Sequence, residues 1–375
     1  MVRIPKPPLF GRSWLGRCLA VAVAAAGFVL LPAAPASAHN GNSPAADNFS
    51  GSVTSVRPAL PAGISIEIIE FGNRLRLTNT SGEVVSVPGY TGEPYLQIAS
   101  DGVRRNENSP ATYLNVTADA TTALPEYADP LAEPSWVTVS SAPMYEWHDH
   151  RTHWMSPLLP PEVLADPGSQ HRVIEWTIPL EIDGQTYEVE GVLDWTPPPA
   201  GWVSYLALFV LGVISLVAGW IRRSLPLAAG LLIFACAGSV WHAVSTLLGQ
   251  GRPSSVVYGL FSVAVPTLLV LVLTAFAVRI ARRQSGPDSE GGATANAVYP
   301  MAIVSWLLVV QGLPELDVLF QANVSAAGPV WAARLAVLLM LGLGLGLAGA
   351  SMGLLRTSAG GRDHATRDPS DVAFG

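Results

Sequence analysis

Long apolar runs constrain this chain more than any other feature. One lies near the N-terminus, from Leu19 to Leu31, and five follow after residue 200, at 202–221, 225–248, 256–278, 297–319 and 330–355. Each of the five supplies the ~20 residues that a helix needs to cross a hydrocarbon core. Half of the 375 residues are hydrophobic and only 13% are charged, a combination that water-soluble chains rarely show. The pattern predicts an α-helical transmembrane bundle of about five helices.

The first run reads differently. Arg3, Lys6, Arg12 and Arg17 surround its start, and Ala36-Ser37-Ala38 ends it with small residues, as in a secretory signal peptide over 1–38. The chain would then begin at His39; an uncleaved anchor is the alternative. Arg222 and Arg223 follow the first span, Arg279, Arg282 and Arg283 the third, and Arg356, Arg362 and Arg367 the fifth, whereas Arg252 alone occupies the opposite loops. The positive-inside rule therefore predicts a cell-membrane protein with its N-terminal domain extracytoplasmic and its C-terminus cytoplasmic. Residues 284–296 read as a cytoplasmic loop and 356–375 as a disordered tail. The fourth span carries Pro300, Gly312 and Pro314 and is expected to break. Gly342, Gly344, Gly346 and Gly349 in the fifth allow close backbone approach, within the bundle or at a dimer face.

Between signal and bundle, 39–52 reads as a flexible lead and 197–201 as a stiff proline-rich linker. Residues 53–196 alternate with period two: Ile64, Ile66 and Ile68 against Ser65 and Glu67, then Leu75 and Leu77 against Arg74 and Arg76. Asn79-Thr80-Ser81-Gly82 and Asp183-Gly184 mark two hairpins. An all-β sandwich, immunoglobulin-like or cupredoxin-like, is expected. Residues 39–200 hold 21 Asp and Glu against 7 Lys and Arg, which excludes nucleic acid as a partner. Cys18 and Cys236 both lie outside this region, so no disulfide staples it.

The densest chemical signal is the string from Met144 to Met155. His148, His150 and His153, three of seven histidines, fall within it between Trp147 and Trp154. On an extended segment His148 and His150 share a face, and a turn after Arg151 would fold His153 back. Imidazole with thioether suits copper, and zinc less well, so His148, His150, His153, Met155 and the N-terminal His39 form a candidate metal set, with His171 as a possible fourth imidazole. Two other readings stand beside it: a hydrogen-bonded cluster using Asp149 or Glu146, and a docking surface. Within the spans His242, Glu315, Asp317 and Arg334 are candidate polar sites, since ionisable groups in a bilayer face the bundle interior or water; aqueous-loop carboxylates with a snorkelling or paired Arg334 are the alternative. No catalytic motif is present, so an enzyme is not expected.

The strings Gly92 to Leu96, Asn108 to Asn115 and Trp147 to Met155 resemble a family of uncharacterised exported membrane proteins of actinobacteria, over the exposed domain and the first span. His39, the fold class and the His/Met mix are more loosely similar to periplasmic copper carriers. The first resemblance implies no activity; the looser one, with the His/Met cluster, leads to the expectation of copper handling, with an envelope protein or a metal carrier as partner, and a structural or sensory envelope protein is the competing expectation.

Overall fold

A computed structural model describes residues 46–117, 119–220, 225–249, 265–284 and 295–352. The expected signal at 1–38, His39, the tail and the basic residues Arg222, Arg223, Arg252, Arg356, Arg362 and Arg367 lie outside these residues. The N-terminal half is mostly β. Its strands are β1 (Ala46–Asp47), β2 (Phe49–Arg57), β3 (Ile64–Ile69), β4 (Arg74–Asn79), β5 (Val85–Pro88), β6 (Pro94–Ala99) and β7 (Gly102–Asn106), followed after the one-turn helix α1 (Ala111–Leu114) by β8 (Trp136–Ser140) and β9 (Met144–His148). A second one-turn helix, α2 (Pro161–Ala165), precedes the long strands β10 (His171–Ile182) and β11 (Gln185–Trp195).

These strands make a seven-stranded antiparallel sheet, β2-β11-β10-β5-β6-β7-β8, and a three-stranded one, β3-β4-β9, which share one core. Period-two burial builds that core. Trp176, Ile178, Leu180 and Ile182 of β10 point inward and Glu175, Thr177 and Glu181 outward, while Leu75 and Leu77 face them from β4. Each fully buried Leu or Ile contributes roughly 1.5–3 kcal/mol. The Asp183-Gly184 hairpin forms as expected, with Ile182 paired to Gln185 and both turn residues left-handed (φ 48° and 70°), as a two-residue primed turn requires.

The other expected hairpin does not form. β4 and β5 flank Asn79-Thr80-Ser81-Gly82 but belong to different sheets. Buried Asn79 is the cause: its amide donates to the Glu83 and Ile98 carbonyls (2.8 and 2.7 Å), and its Oδ1 accepts from the Ser81 amide and hydroxyl. The turn therefore steers the chain across the core. β4 pairs instead with β3 and β9.

Among the described residues, five helices are long and apolar enough to cross a membrane. They are α3 (Gly201–Trp220), α4 (Leu225–Gly249), α5 (Val265–Gln284), α6 (Ala295–Gly312, prolonged as a 3-10 turn over Leu313–Leu319) and α7 (Val330–Met352, with a π turn at Leu339–Leu343). The fourth breaks at Gly312, where Pro314 cannot donate to a continuing α-helix. The third, expected over 256–278, is described from Val265 only, since 250–264 lie outside the described residues, and its helix runs on past 278 through Arg279 and Arg282, where cations near a helix C-terminus are favourable. Helix α7 is central. Its Gly342 and Gly346 face Leu211, Gly212 and Ser215 of α3, and Gly344 faces Ser305 and Val309 of α6, so the glycine repeat serves packing within the chain.

Of the flexible lead expected over 39–52, residues 46–52 form β1 and the start of β2 and join the β domain to the bundle. β1 pairs with β12 (Asn323–Val324), Ala46 against Val324 and Asp47 against Asn323, and Ala46 packs into the core of the bundle. Asn48 Oδ1 accepts the Ala322 amide at 2.8 Å, and Asn323 donates to the Phe49 carbonyl at 3.0 Å. Asp47 closes the local turn by accepting the Asn48 and Phe49 amides. The Thr196 amide donates to the Asn48 carbonyl, and Ser204 Oγ donates to the Leu319 carbonyl at 3.0 Å.

Candidate functional site

The His-rich string divides at the end of β9. Trp147 lies opposite Leu75 and enters the core, which turns Glu146 and His148 to the polar face of the three-stranded sheet. There a ladder forms: Arg76 bonds Glu67 and Glu146 (2.9 and 2.8 Å), and Arg74 stands opposite His148. His148 Nδ1–H donates to the Asn73 carbonyl at 3.0 Å, so Nε2 accepts from Arg74 Nε at 3.0 Å. Burial, reinforced by the Arg74 charge, lowers His148 to about 4.

A buried imidazole kept neutral stabilises the fold while the unfolded chain is also neutral. Because the folded value is depressed, that stability is full above pH ~6.5 and is lost as the pH falls towards 4, by roughly 2–3 kcal/mol. Unfolding followed by tryptophan fluorescence at pH 7 and pH 4.5 is expected to show this slope, and His148→Gln to flatten it. Equal slopes in the two proteins would refute the assignment.

After His148 the chain turns at once. Asp149 is fully buried; its carboxylate accepts from Trp147 Nε1, from the Arg151 amide, and from Arg151 as a fork at 2.8 and 2.7 Å. Its carbonyl accepts the Thr152 amide and hydroxyl and His153 Nδ1–H. The turn brings His153 back onto His150, with ring centroids 5.3 Å apart.

His148 does not join them, and the expected shared centre of three imidazoles is not formed: among the described residues no three His, Cys, Asp or Glu are grouped to hold a metal. The reason is local. His148 Nε2 is committed to a guanidinium, and Arg151 brings a second cation into the same segment. Met155 stands 40% exposed on the following loop, and His171 bonds the Asp166 carbonyl at the start of β10.

Three distant segments meet here. Tyr90 accepts the His150 amide at 3.1 Å, donates its hydroxyl hydrogen to Asn115 and lies under the Arg151 guanidinium, 5.2 Å from ring centre to Cζ. Glu93 accepts from Ser109 Oγ at 2.9 Å and from the Thr91 hydroxyl and amide; burial alone would raise its carboxyl, but these bonds hold it below the usual range. No family model, curated protein or solved structure matches the chain. Tyr90, Glu93, Asn115 and the Asp149–Arg151 pair thus rest on geometry. Sequence reasoning named Asp149 as a hydrogen-bonding partner within the His-rich string but assigned no role to Tyr90, Glu93 or Asn115, of which Glu93 and Asn115 stood only inside the strings that carry the resemblance.

Beside this network lies a cleft of about 220 Å³, lined by Phe49, Phe71, Asn73, His153, Trp154 and Leu158 among others. Asp47 also lines it, and burial raises its carboxyl despite the Phe49 and Asn48 amide bonds. Phe71 adopts a left-handed conformation (φ 61°), unusual for a bulky residue, in the tight turn between β3 and β4.

The four polar candidates of the spans separate. His242 Nε2 and Glu315 Oε2 lie 3.6 Å apart, with Glu315 buried in the bundle. Ser239 donates to Gln311 across the same two elements. Asp317 is exposed. Arg334 donates to the carbonyls of Val318, Gln321 and Ala322, closing the C-terminal end of the 3-10 turn.

Proposed function

We propose that this protein is a non-enzymatic envelope protein: a five-span anchor that holds a β domain on the outer side of a cell membrane and presents it to a second envelope protein. The observation that carries the reading is the free edge of the large sheet. Among the described residues β8 pairs only with β7; its own Val137 is exposed, and the segment leading into it exposes Leu124, Tyr127 and Leu131 (93%). An open strand edge with exposed apolar side chains suits strand addition by a partner chain. The distribution of basic residues supports the orientation, and the two facing antiparallel sheets support an immunoglobulin-like or cupredoxin-like class.

A photo-crosslinking residue at Leu131 of the full chain, in its own envelope, is expected to give a discrete heteromeric adduct; the same residue at exposed Thr186 is not. Equal labelling from both sites, or none from either, would remove the docking function.

A second reading keeps a metal, on one observation. His150 and His153 are adjacent, and His150 Nε2 is buried without a hydrogen-bond partner. Burial and the nearby His153 lower the His150 pKa, which favours the neutral imidazole that a metal ligand requires. Two imidazoles with Met155 or His39 favour copper over zinc, which seeks four ligands in structural sites. One equivalent of copper bound by the full chain and lost in His150→Ala would establish this reading; no binding would leave the partner reading alone.

A further inference from the structure

We propose that the segment 154–164, a loop running into α2, is a second membrane contact, seated in the lipid interface on the β-domain side of the bundle. This contact is independent of the β8 edge.

The level of that interface is marked by aromatic residues. Trp202 and Trp331 stand in the first turns of α3 and α7 with two thirds of their surface exposed, as the tryptophans of an interfacial belt do. Ser204 and the Leu319 carbonyl join the bundle at this height. Asn323 follows four residues later, within ~14 Å even for an extended chain, and it pairs with Asp47. Asp47 and Phe49 then form one cleft with Trp154, Leu158 and Leu159. The segment is also tied down just past its far end, where Trp195, the last residue of β11, donates Nε1–H to the Pro167 carbonyl. The segment is therefore held at the bundle end of the β domain.

What it exposes there is apolar. Leu158 is 72% exposed, and Met155, Leu159 and Leu164 join it, while Trp154 is fixed by donating Nε1–H to the Leu158 carbonyl at 2.6 Å. Along 154–164, Glu162 is the only charged residue. Apolar side chains beside the belt of the same molecule continue its lipid-facing surface, and the occupant consistent with that continuity is lipid.

The test uses the full chain with Cys18→Ser, Cys236→Ser and a single cysteine at Leu158, labelled with an environment-sensitive fluorophore. It is reconstituted in vesicles of phosphatidylethanolamine and phosphatidylglycerol. Leu131→Cys serves as the comparison site. The Leu158 label is expected to emit blue-shifted and to lose at least half its intensity to lipids carrying a nitroxide near the glycerol end of the chain, while the Leu131 label is unaffected. Water-like emission from Leu158 would overturn the proposal. So would a blue shift without quenching by lipid, which would mean that protein, such as a second copy of this chain, covers the loop.

Discussion

Gly346→Val is expected to abolish recovery of folded protein, whereas Gly230→Ala, in a helix of the same bundle, leaves yield and melting temperature unchanged or slightly improved. A Cβ at Gly346 would overlap both Ser215 Oγ and the Gly212 carbonyl oxygen and reach the Leu216 nitrogen at 2.9 Å. Two of these three atoms are backbone, so no rotamer change relieves the clash and α3 must move away from α7. Overpacking typically costs 1–3 kcal/mol where side chains can shift, and with fixed backbone it is expected to exceed ~3 kcal/mol. Helix α7 has two thirds of its length buried, so its displacement also loosens its packing against α4 and α6. At Gly230 nothing lies within 4 Å, and alanine gains up to ~1 kcal/mol of helix propensity. Size-exclusion profiles and thermal melts in detergent distinguish the two, and a monodisperse Gly346→Val protein with an unchanged melt would refute this packing.

Asp149→Ala is the second large effect, and it is confined to the β domain. The carboxylate neutralises Arg151 through two bonds and also fixes Trp147 and the Arg151 amide, so its removal leaves a mostly buried guanidinium with only the Tyr90 ring and the more distant Glu93 to offset it. Breaking a buried pair on one side costs about 3–5 kcal/mol. Removing both charges costs less, since apolar replacements of a buried pair are often neutral; Asp149→Ala with Arg151→Met is expected to recover part of the loss. Denaturant unfolding followed by tryptophan fluorescence measures both proteins. A loss below 1 kcal/mol for Asp149→Ala would show that the pair does not hold the turn.

The contrast between these two sites explains how much of the molecule was legible in its sequence. Local periodicity carried the helices, the alternation of β3, β4, β10 and β11, and the Asp183-Gly184 turn, because each depends on neighbours a few residues away. What failed depends on distant groups. Asn79 redirects its turn by bonding the Ile98 carbonyl, and β1 is only two residues long, too short for any pattern to register. The same holds for the candidate site. His150 and His153 lie side by side, yet His148 is bonded to Arg74, which lies 74 residues upstream, and no spacing within 144–155 reveals that bond. In the spans, the residue types marked His242 and Glu315, but helix packing alone brought them together and gave Arg334 to backbone carbonyls instead.

The joint made by β1, Asn48 and Asn323 has a consequence for encounters in the plane of the membrane. A domain on a free tether samples many orientations, and a partner must wait for the productive one. Here the chain entering β2 and the chain leaving β11 are bonded to each other and to the loop between α6 and α7. Height and azimuth of the sheet are thereby set before any encounter, so less orientational entropy is lost on association. Two such molecules, or this one and a partner of matched height, would search only by lateral diffusion and rotation about the membrane normal.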